Sequence, residues 1–525
     1  MSARYSLPFV LVAAASITFC CNSDSPGKES PAGTPVDRVP EKITIDVSKV
    51  LNDTRRRQIG INTCFLTDDD KSYLRSPKRP FDEALKDLNP AYLRYPGGWK
   101  SDVVLWSVPP YTKSQPMLAR PHAASFPAND RTLVNPDGSW RIDPYDFDEF
   151  MSTCRAVGAE PVLVVCYNSY RWSLDFDKTP NPTRRQIIDT AVEWVRYANK
   201  VKGYNVKYWE IGNESWLPME ENGKKSTISP EIYAEDVVEM SQRMKQVDPT
   251  ILIGANALKT DDWITILNKA AEHIDFLVVH PYPFYGWKGY DAYLRQDPDA
   301  LYCARFAKEA IKANEVASRR QLKIMATEFA AGTFDEWDRS GADVARGVMT
   351  VDILGQLLRS PDCYMSLFWN TINVYEGDGS VFNALMRDNT LSAVGLALTI
   401  WGRFLEDEMV ETGSAAESND LKDARDPYMV RCYASRTEGK ALNVILVNKD
   451  MKATPIELKL CKANLTDMQG EKWLYCGTSP TDKNPTWGRI GWIKVAGETF
   501  ETVLDPVSVT VFSFSIRSNS GLEKK

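Results

Sequence analysis

Short apolar segments recur along residues 58–400, and stretches with helical periodicity separate them. Eight of the segments are continuous hydrophobic runs, which is the pattern of strands buried on both faces of a parallel sheet. The predicted strands are Gln58–Asn62, Tyr92–Tyr95, Pro161–Tyr167, Val206–Ile211, Ile251–Ala255, Phe276–His280, Lys323–Glu328 and Met365–Trp369. The predicted helices are Phe81–Leu88, Asp146–Val157, Arg184–Val201, Glu231–Val247, Trp263–Ala271, Ala304–Ser318 and Ala342–Leu358. Repeated strand–helix units of this kind predict an α/β fold, the (β/α)8 TIM barrel.

After about residue 410 the helical periodicity gives way to short strand-like segments with turns between them. These segments are Tyr428–Ser435, Ala441–Asn448, Thr454–Leu460, Lys472–Cys476, Gly491–Val495 and Val507–Ile516. They predict a C-terminal antiparallel β-sandwich. The alternating segment Lys42–Val50 is also strand-like, and we expect it to pair with the sandwich.

The first residues have the pattern of an export signal. Arg4 precedes the apolar run Leu7–Phe19, which is too short to span a bilayer, and Cys20 and Cys21 follow it directly. This arrangement resembles the processing site of bacterial lipoproteins, with Cys20 or Cys21 as the lipidated residue. Simple secretion with cleavage nearby is the alternative. We expect an exported protein, lipid-anchored to the bacterial membrane at the cell surface or in the periplasm, whose anchor is its only membrane contact.

These patterns divide the chain into five parts: a lipoprotein signal peptide (1–21), a flexible tether rich in Ser, Pro and Gly (22–41), an N-terminal strand (42–57), the barrel (58–408) and the sandwich (409–525). The 525 residues, 43% of them hydrophobic, are enough to bury a large core. The net charge of −7 argues against a nucleic-acid partner, which requires a basic surface.

Cysteine and histidine residues give no metal-binding pattern. The eight cysteines after the signal are scattered without a CxxC pair, so we expect most of them to be free and buried. The three histidines, His122, His273 and His280, are too few to predict a metal cluster.

Polar residues stand where the predicted barrel strands end. The active site of a TIM barrel lies at the carboxyl ends of its strands. Any one of these residues alone could equally be a polar cap that faces solvent. The position of all of them at one rim predicts a functional site. A carboxylate pair flanked by polar side chains is what glycoside hydrolysis requires. The residues at the strand ends are Asn62, Arg94, Asn168, Asn213, Glu214, Asn256, His280, Tyr282, Glu328, Trp369 and Asn370.

Three of these strand ends resemble motifs of known enzymes. Trp209–Glu214, which reads Trp-Glu-Ile-Gly-Asn-Glu, resembles the acid/base motif of clan A glycoside hydrolases. Leu93–Gly98 resembles the strand-2 motif of family 51 α-L-arabinofuranosidases and their relatives in families 39 and 79. Ala326–Phe329 resembles the strand-7 segment that carries the nucleophile. The resemblance extends over nearly all of residues 42–516 and includes the barrel and sandwich.

The resemblance implies the chemistry of a retaining glycosidase. Glu214 would be the general acid/base and Glu328 the nucleophile. Arg94 would pair with Glu328, Tyr282 would donate a hydrogen bond to Glu328, and His280 would lie on the acid/base side. We expect ionised Glu328 to help raise the pKa of Glu214. Because two carboxylates suffice for this reaction, neither a metal nor an organic cofactor is expected.

Further residues are predicted to bind the substrate. Asn213 would contact the sugar 2-hydroxyl, and tryptophans near the rim would be sugar platforms or, equally, packing residues. The additional candidates are Asn168, Trp99, Trp216 and Trp369.

Three features leave alternatives open. Glu210 precedes Glu214 by four residues on the same strand face, but Asn213 favours Glu214 as the acid, and we interpret Glu210 as a buried partner of a barrel Arg or Lys. The segment after strand 1, Gly60–Phe65, lacks the glutamate that binds the furanose in family 51. The segment Trp99–Asp102 after strand 2 also differs from what the resemblance leads us to expect. Within it, Lys100 would suit a uronic acid carboxylate, although a surface lysine is the simpler interpretation.

The sequence thus predicts a retaining glycoside hydrolase, α-L-arabinofuranosidase-like, that acts on plant or algal polysaccharide or its oligosaccharides. The alternatives within the clan are a β-xylosidase, a β-glucuronidase or an endo-glycanase. Those of other classes are a non-catalytic carbohydrate-binding surface lipoprotein and a structural or adhesion protein. The oligomeric state is left open.

Overall fold

In the computed structural model, the described residues belong to one compact unit, Arg38–Lys525. The predicted signal peptide, with Cys20 and Cys21, and most of the tether lie outside the described residues. Within the described part, no helix is both long and apolar enough to cross a membrane. The structure describes residues 39–518 except 56–57, 64–68, 73–74, 120–139, 141–142, 172–181, 218, 222–223, 285–288, 295–297, 333–340, 373–378 and 415–428.

The described strands are numbered in chain order. They are β1 (Glu41–Asp53), β2 (Ile59–Asn62), β3 (Tyr92–Tyr95), β4 (Val104–Leu105), β5 (Met117–Leu118), β6 (Glu160–Val165), β7 (Tyr208–Ile211), β8 (Met219–Glu221), β9 (Lys224–Ser226), β10 (Leu252–Asn256), β11 (Phe276–Val279), β12 (Lys323–Phe329), β13 (Cys363–Phe368), β14 (Glu408–Ser414), β15 (Val430–Thr437), β16 (Ala441–Asn448), β17 (Thr454–Cys461), β18 (Gln469–Cys476), β19 (Thr486–Lys494), β20 (Thr499–Leu504) and β21 (Ser508–Ser515).

The described helices are numbered in the same way. They are α1 (Phe81–Leu88), α2 (Phe147–Val157), α3 (Asn168–Arg171), α4 (Arg184–Val195), α5 (Pro230–Val247), α6 (Thr260–Ala270), α7 (Tyr290–Tyr293), α8 (Tyr302–Ala313), α9 (Glu315–Arg320), α10 (Val344–Arg359) and α11 (Ala393–Phe404). A 3-10 turn at Gly98–Val103 follows β3, and a π-helical turn at Arg196–Val201 continues α4.

Eight parallel strands close into a barrel, which confirms the predicted (β/α)8 fold. Each strand pairs with the next in the order β2, β3, β6, β7, β10, β11, β12, β13, and β13 pairs with β2. Every residue of the short strands β2, β3, β7 and β11 is buried, as their continuous apolar sequences predict. The carboxyl ends of all eight strands therefore meet at one rim.

The helices differ from the predicted ones in several places. The four-residue helices α3 and α7 were not predicted, and the last six residues of the predicted helix Arg184–Val201 are π-helical. The predicted helix 304–318 is two helices, because Asn314 leaves helical geometry and its side chain caps α9 by accepting from the backbone N–H of Ala317. Helix α11 was not predicted. It is buried on nearly every side, and its sequence is apolar almost throughout, so it lacks the polar face of a surface helix.

The C-terminal strands form a nine-stranded sheet in the order β19-β18-β21-β16-β15-β14-β1-β17-β20. All neighbours are antiparallel except β1 and β17, and β14 and β20 were not predicted. Apolar side chains from seven of the nine strands share one core, so the single sheet curls around its own interior. The first strand of the described chain thus lies between two strands from its C-terminal part.

The other face of this sheet packs on the barrel helix α10. The Tyr433 hydroxyl donates to Asp352 Oδ1 over 2.6 Å. Gly355 makes this approach possible, since a Cβ there would lie 2.6 Å from the Tyr433 ring. The barrel and the sheet are therefore joined through a buried polar contact as well as apolar packing.

The described cysteines are free, and five of them are buried: Cys154, Cys166, Cys303, Cys363 and Cys432. This confirms the expectation for these residues, whereas Cys64 lies outside the described part.

Candidate active site

Arg94 lies at the centre of the rim and is fully buried. It lies one residue before the end of β3, and its Nε and Nη2 donate to Glu210 Oε2 at 3.0 and 2.8 Å. Nη1 donates to Glu328 Oε1 at 2.7 Å and to Asn62 Oδ1 at 2.8 Å. Nη2 also donates to Asn213 Oδ1 at 2.8 Å, so all five guanidinium N–H groups are used. Glu210 is thus a buried partner of an arginine, as interpreted from the sequence.

Glu328, on β12, is surrounded by donors. Besides Arg94, the Tyr282 hydroxyl donates to its Oε2 over 2.8 Å. Burial and the charge of Glu328 raise the pKa of Tyr282 well above its ordinary value, so this hydroxyl remains a donor. Both contacts stabilise negative charge on the Glu328 carboxylate. The geometry suits a carboxylate that attacks as a nucleophile.

Glu214 has a different environment. It follows β7, and its side chain retains 24% of its accessible surface. Burial raises the pKa of Glu214 to about 7, while Arg94 opposes this rise. The predicted direction of the pKa shift is present, but burial rather than the expected repulsion from Glu328 causes it. A carboxyl with this pKa exchanges its proton near neutral pH, as an acid/base requires.

His280 connects Glu214 to the interior. Its Nδ1 lies 3.0 Å from Glu214 Oε1, and its Nε2 lies 3.2 Å from the Thr327 hydroxyl. Burial lowers the pKa of His280 to about 4, so the ring is neutral at neutral pH. Thr327 donates to Glu210 over 3.5 Å, which leaves its oxygen to accept from Nε2–H. Nδ1 is then an acceptor facing a protonated Glu214.

The two candidate catalytic carboxylates are close together. One oxygen of Glu214, one oxygen of Glu328 and one ring nitrogen of His280 all lie within 4.8 Å of one another. Such a trio also has the ligand types of a metal site, but Arg94 already donates to Glu328, which disfavours a second cation there.

Two asparagines hold the backbone around Glu214. Asn168 Nδ2 donates to the carbonyl of Asn213 over 2.7 Å, and its Oδ1 accepts from the Ser215 hydroxyl over 2.8 Å. Asn256 Oδ1 accepts from the backbone N–H of Ser215 over 2.8 Å. Asn168 therefore has protein partners at both ends of its amide, and its predicted contact with substrate stays a prediction.

The rim tryptophans are placed in three ways. The Trp216 ring is half-buried and meets His280 edge-on, with 5.6 Å between ring centroids. Trp99 is half-buried against the barrel core, and Trp369 is buried at the end of β13. Their predicted role as sugar platforms stays a prediction.

Lys100 is buried, so its interpretation as a surface lysine was wrong. Only 6% of its surface is exposed, and its Nζ lies 6.0 Å from the centroid of the Trp369 ring. The 3-10 turn that carries Lys100 lies against the end of β6, which brings its ammonium group inward rather than toward solvent.

The structure also adds residues that the sequence did not single out, namely Asp102, Thr327 and Ser215. All three are buried. Asp102 and Ser215 contact Asn168, and Thr327 contacts His280. The one sequence signal was the unexpected segment Trp99–Asp102 after strand 2.

Part of the chain resembles proteins of known activity. Residues 84–296 match the model of the alpha-L-arabinofuranosidase 1 domain. The probable alpha-L-arabinofuranosidase C of Aspergillus niger is 30% identical over 204 residues, which are 35% of this chain and 34% of that protein. The intracellular exo-alpha-L-arabinofuranosidase of Bacteroides ovatus is 26% identical over 227 residues, 39% of this chain and 37% of that protein. The chain thus spans about a third of the length of these relatives.

Likeness in structure extends much further along the chain. The alpha-L-arabinofuranosidase from Thermotoga maritima, solved in complex with arabinose, has a TM-score of 0.67 at 20% identity. The match covers 90% of this chain and 99% of that one. The chain therefore has the fold of this alpha-L-arabinofuranosidase and, over residues 84–296, a region similar to the alpha-L-arabinofuranosidase 1 domain.

Proposed function

We propose that the chain is a retaining glycoside hydrolase that removes α-L-arabinofuranosyl groups from plant or algal polysaccharide or its oligosaccharides. The observation that carries the reaction type is the approach of Glu214 and Glu328 to within 4.8 Å. Retaining glycosidases hold their carboxyl groups about 5–5.5 Å apart, whereas inverting enzymes need about 6.5–9.5 Å for an intervening water.

The opposite environments of the two carboxyl groups support their separate roles. Glu328, with Arg94 and Tyr282 as donors, attacks the anomeric carbon while Glu214 protonates the glycosidic oxygen. The bond to the leaving group breaks as the bond to Glu328 forms. Glu214, now ionised, then takes a proton from the water that attacks the glycosyl–enzyme, and the released sugar keeps its configuration. No step requires a metal or an organic cofactor.

The sugar assignment rests on the match of residues 84–296 to the alpha-L-arabinofuranosidase 1 domain and on the relatives that share it. One observation favours a second candidate, a β-glucuronidase. Lys100 is buried beside Trp369 at the rim and would pair with a uronic acid carboxylate there.

A panel of aryl glycosides tests both candidates. The chain from about residue 23 is assayed on aryl α-L-arabinofuranoside, β-xyloside, β-glucuronide and β-galactoside, together with intact polysaccharides. We expect hydrolysis of the arabinofuranoside, abolished by Glu328→Gln and Glu214→Gln. Cleavage of the glucuronide alone, lost in Lys100→Met, would favour the second candidate. Oligomers from polysaccharide without aryl glycoside hydrolysis would indicate an endo-glycanase, and inactivity throughout would favour a binding protein.

The role of Glu328 has its own test. Azide is added to the Glu328→Ala variant, where it replaces the missing nucleophile. Recovery of activity with formation of a glycosyl azide of inverted configuration supports the assignment. If Glu328→Gln and Glu214→Gln both leave hydrolysis unchanged, the assignment fails.

We also propose that the protein is exported and anchored by a lipid on Cys20 or Cys21. The support is the apolar run Leu7–Phe19 directly before these cysteines. Expression with a labelled fatty acid, with Cys20→Ser and Cys21→Ser compared, tests it. Loss of label in one variant identifies the modified residue. Label in neither variant nor the unaltered chain, with a soluble secreted product, contradicts lipidation.

A further inference from the structure

The segment that carries Glu214 has an uncommon backbone conformation. Glu214 has a φ of 47°, and Gly212, two residues earlier, has a φ of 71°. A side chain other than glycine pays about 1–2 kcal/mol to adopt the left-handed region, so surrounding contacts must hold it there. A proton donor is effective only if its oxygen stays within hydrogen-bonding reach of the leaving group. Whatever fixes this segment therefore bears on acid catalysis.

Asn168 holds the segment on both sides of Glu214. It donates to the carbonyl of Asn213 and accepts from the hydroxyl of Ser215. The two ends of an amide are different, since the nitrogen only donates and the oxygen only accepts. These two contacts of Asn168, which we call the clamp, form in only one orientation of its side-chain amide.

Asp102 selects that orientation. Its Oδ2 accepts from Asn168 Nδ2 over 2.9 Å, and its Oδ1 accepts from the backbone N–H of Asn168 over 3.1 Å. The carboxyl is fully buried, and the Asp102 carbonyl accepts from the Ser169 hydroxyl, so the 3-10 turn is tied to the end of β6. Because both side-chain oxygens of Asp102 accept from N–H groups of Asn168, the amide nitrogen of Asn168 faces Asp102 and Asn213, which leaves its amide oxygen for Ser215.

We propose that Asp102 is a positioning residue for acid catalysis, which acts on Glu214 through Asn168. The inference rests on the proposed glycosidase function and adds to it the residue that sets the acid/base geometry. Asp102 is too deeply buried to touch substrate. Its place within Trp99–Asp102 also gives a role to the segment that departs from the resembled family.

The substitution Asp102→Asn breaks the clamp without changing its size. Both oxygens of Asp102 face donors of Asn168, so the new amide nitrogen would oppose either Asn168 Nδ2 or, if the amide is turned over, the backbone N–H of Asn168. Rotation of the Asn168 amide would relieve this, but its oxygen would then face the carbonyl oxygen of Asn213. Either arrangement loses a hydrogen bond beside Glu214.

The test compares kcat/KM on aryl glycosides with two leaving groups. Phenoxide leaves poorly and needs a proton from Glu214, whereas dinitrophenoxide leaves without one. With Asp102→Asn we expect kcat/KM to fall by about 10-fold or more on the phenyl glycoside and by less than about threefold on the dinitrophenyl glycoside, a fraction of the factor of about 100–10,000 that general acid catalysis supplies. The sugar is the one that the unaltered chain hydrolyses.

Asp248→Asn is the matched control. Asp248 Oδ2 accepts from Asn199 Nδ2 over 2.9 Å, and Asn199 Nδ2 also donates to the carbonyl of Val206. This buried Asp–Asn pair holds the chain at the start of β7, whereas the Asp102–Asn168 pair holds it at the end. The variant Asp248→Asn also brings two hydrogen-bond donors together, and we expect it to lower kcat/KM on the two glycosides by the same factor.

The remaining outcomes also decide the question. Equal losses on both glycosides with Asp102→Asn, or no loss on either, would overturn the positioning role while leaving the glycosidase intact. If the unaltered chain cleaves no glycoside, the proposed function fails, and this inference fails with it. Should Asp102→Asn not fold, Ser215→Ala removes one clamp contact, and we expect the same selective loss at smaller size.

Discussion

At the scale of single residues, the site is organised around one buried cation. Arg94 serves two carboxylates, Glu210 and Glu328, and two asparagine oxygens. In a buried site a full charge acts over several ångströms with little screening. Arg94 pulls the pKa of Glu214 down, against the rise that burial produces. Because Glu210 pairs with Arg94 through two nitrogens, we infer that it limits this pull and keeps Glu214 protonated near neutral pH.

The variant Glu210→Gln tests this balance. The change keeps the shape but removes the charge that offsets Arg94, so the pKa of Glu214 should fall from about 7. We expect the alkaline limb of kcat/KM to move to lower pH by about one pH unit. The measurement is a pH–rate profile on an aryl glycoside. Glu471→Gln, which removes a surface partner of Arg489, is the control, and an alkaline limb unmoved by Glu210→Gln would refute the inference.

The same acid/base residue affects stability. Burial raises the pKa of Glu214 from an ordinary 4.5 to about 7, so the folded state binds its proton more tightly than the unfolded state. The stabilisation is complete below about pH 4.5 and is lost as the pH rises through about 7. The variant Glu214→Gln has no titrating group at this position. As the pH rises from 5 to 8, the unfolding free energy of the unaltered chain should therefore fall by about 2 kcal/mol relative to that of the variant.

Denaturant titrations at several pH values measure this difference. His280 contacts Glu214 and, with a pKa that burial lowers to about 4, contributes the opposite slope between about pH 4 and 6.5, so the part of the difference above pH 6.5 isolates Glu214. A difference between the variant and the unaltered chain that does not change with pH would show that Glu214 titrates normally in the folded protein.

Some residues of the site could be predicted from the sequence, and others could not. Glu214 and Glu328 were recognisable because each lies at the carboxyl end of an apolar strand at a known place in the repeat. Asp102 was not, since its partner Asn168 is 66 residues away and only the closed barrel brings the two together. The burial of Lys100 was missed for the same reason, because nothing in the local pattern of a turn shows what packs over it.

At the scale of elements, the barrel strands were predicted to within two residues at each end. Their apolar runs are short and continuous, and the chain turns polar as it leaves the sheet. Strands β14 and β20 were missed, because Glu408–Ser414 and Thr499–Leu504 mix polar and apolar residues without a clear alternation. Helix α11 was missed for a different reason, since its sequence is apolar almost throughout and lacks a polar face.

The contact between the loop after β3 and the end of β13 yields a prediction. Gly98 has a φ of 61°, and a Cβ there would lie 2.2 Å from Cη2 of Trp369. Gly98→Ala should therefore destabilise the fold by more than about 2 kcal/mol and raise KM, because Trp369 must move at the rim. Thermal unfolding and steady-state kinetics measure the two effects.

Gly158→Ala separates the clash from the backbone cost. Gly158 has a φ of 75°, but a Cβ there meets nothing within 4 Å. We expect a loss of about 1 kcal/mol and unchanged kinetics. If Gly98→Ala behaves like Gly158→Ala in both measurements, the packing of Trp369 on this loop does not shape the site.

At the scale of the whole molecule, the barrel and the nine-stranded sheet are joined by buried polar contacts. Tyr433 on β15 donates to the carboxylate of Asp352 on α10, and Tyr475 on β18 donates to the carbonyl of Ala393 on α11 over 3.0 Å. Asp352 is fully buried and also lies 3.3 Å from Arg431 Nε. A hydrogen bond to a buried charge is worth more than one to a neutral carbonyl.

The pair of tyrosines therefore gives a graded prediction. Tyr433→Phe should lower the unfolding free energy by about 2 kcal/mol and Tyr475→Phe by about 1 kcal/mol. Denaturant unfolding followed by tryptophan fluorescence measures both. Equal losses would show that the charge on Asp352 adds nothing to the joint between the barrel and the sheet.

The place of β1 in the sheet sets an order of events during biosynthesis. β1 is made before every barrel strand, yet its partners β14 and β17 are made after the last of them. Strand β1 therefore stays unpaired while more than three hundred further residues are synthesised. The sheet can form only after its C-terminal strands have been made. We expect products of interrupted synthesis to expose open strand edges and to be degraded by proteases. Barrels that lack the C-terminal strands of the sheet would therefore not accumulate.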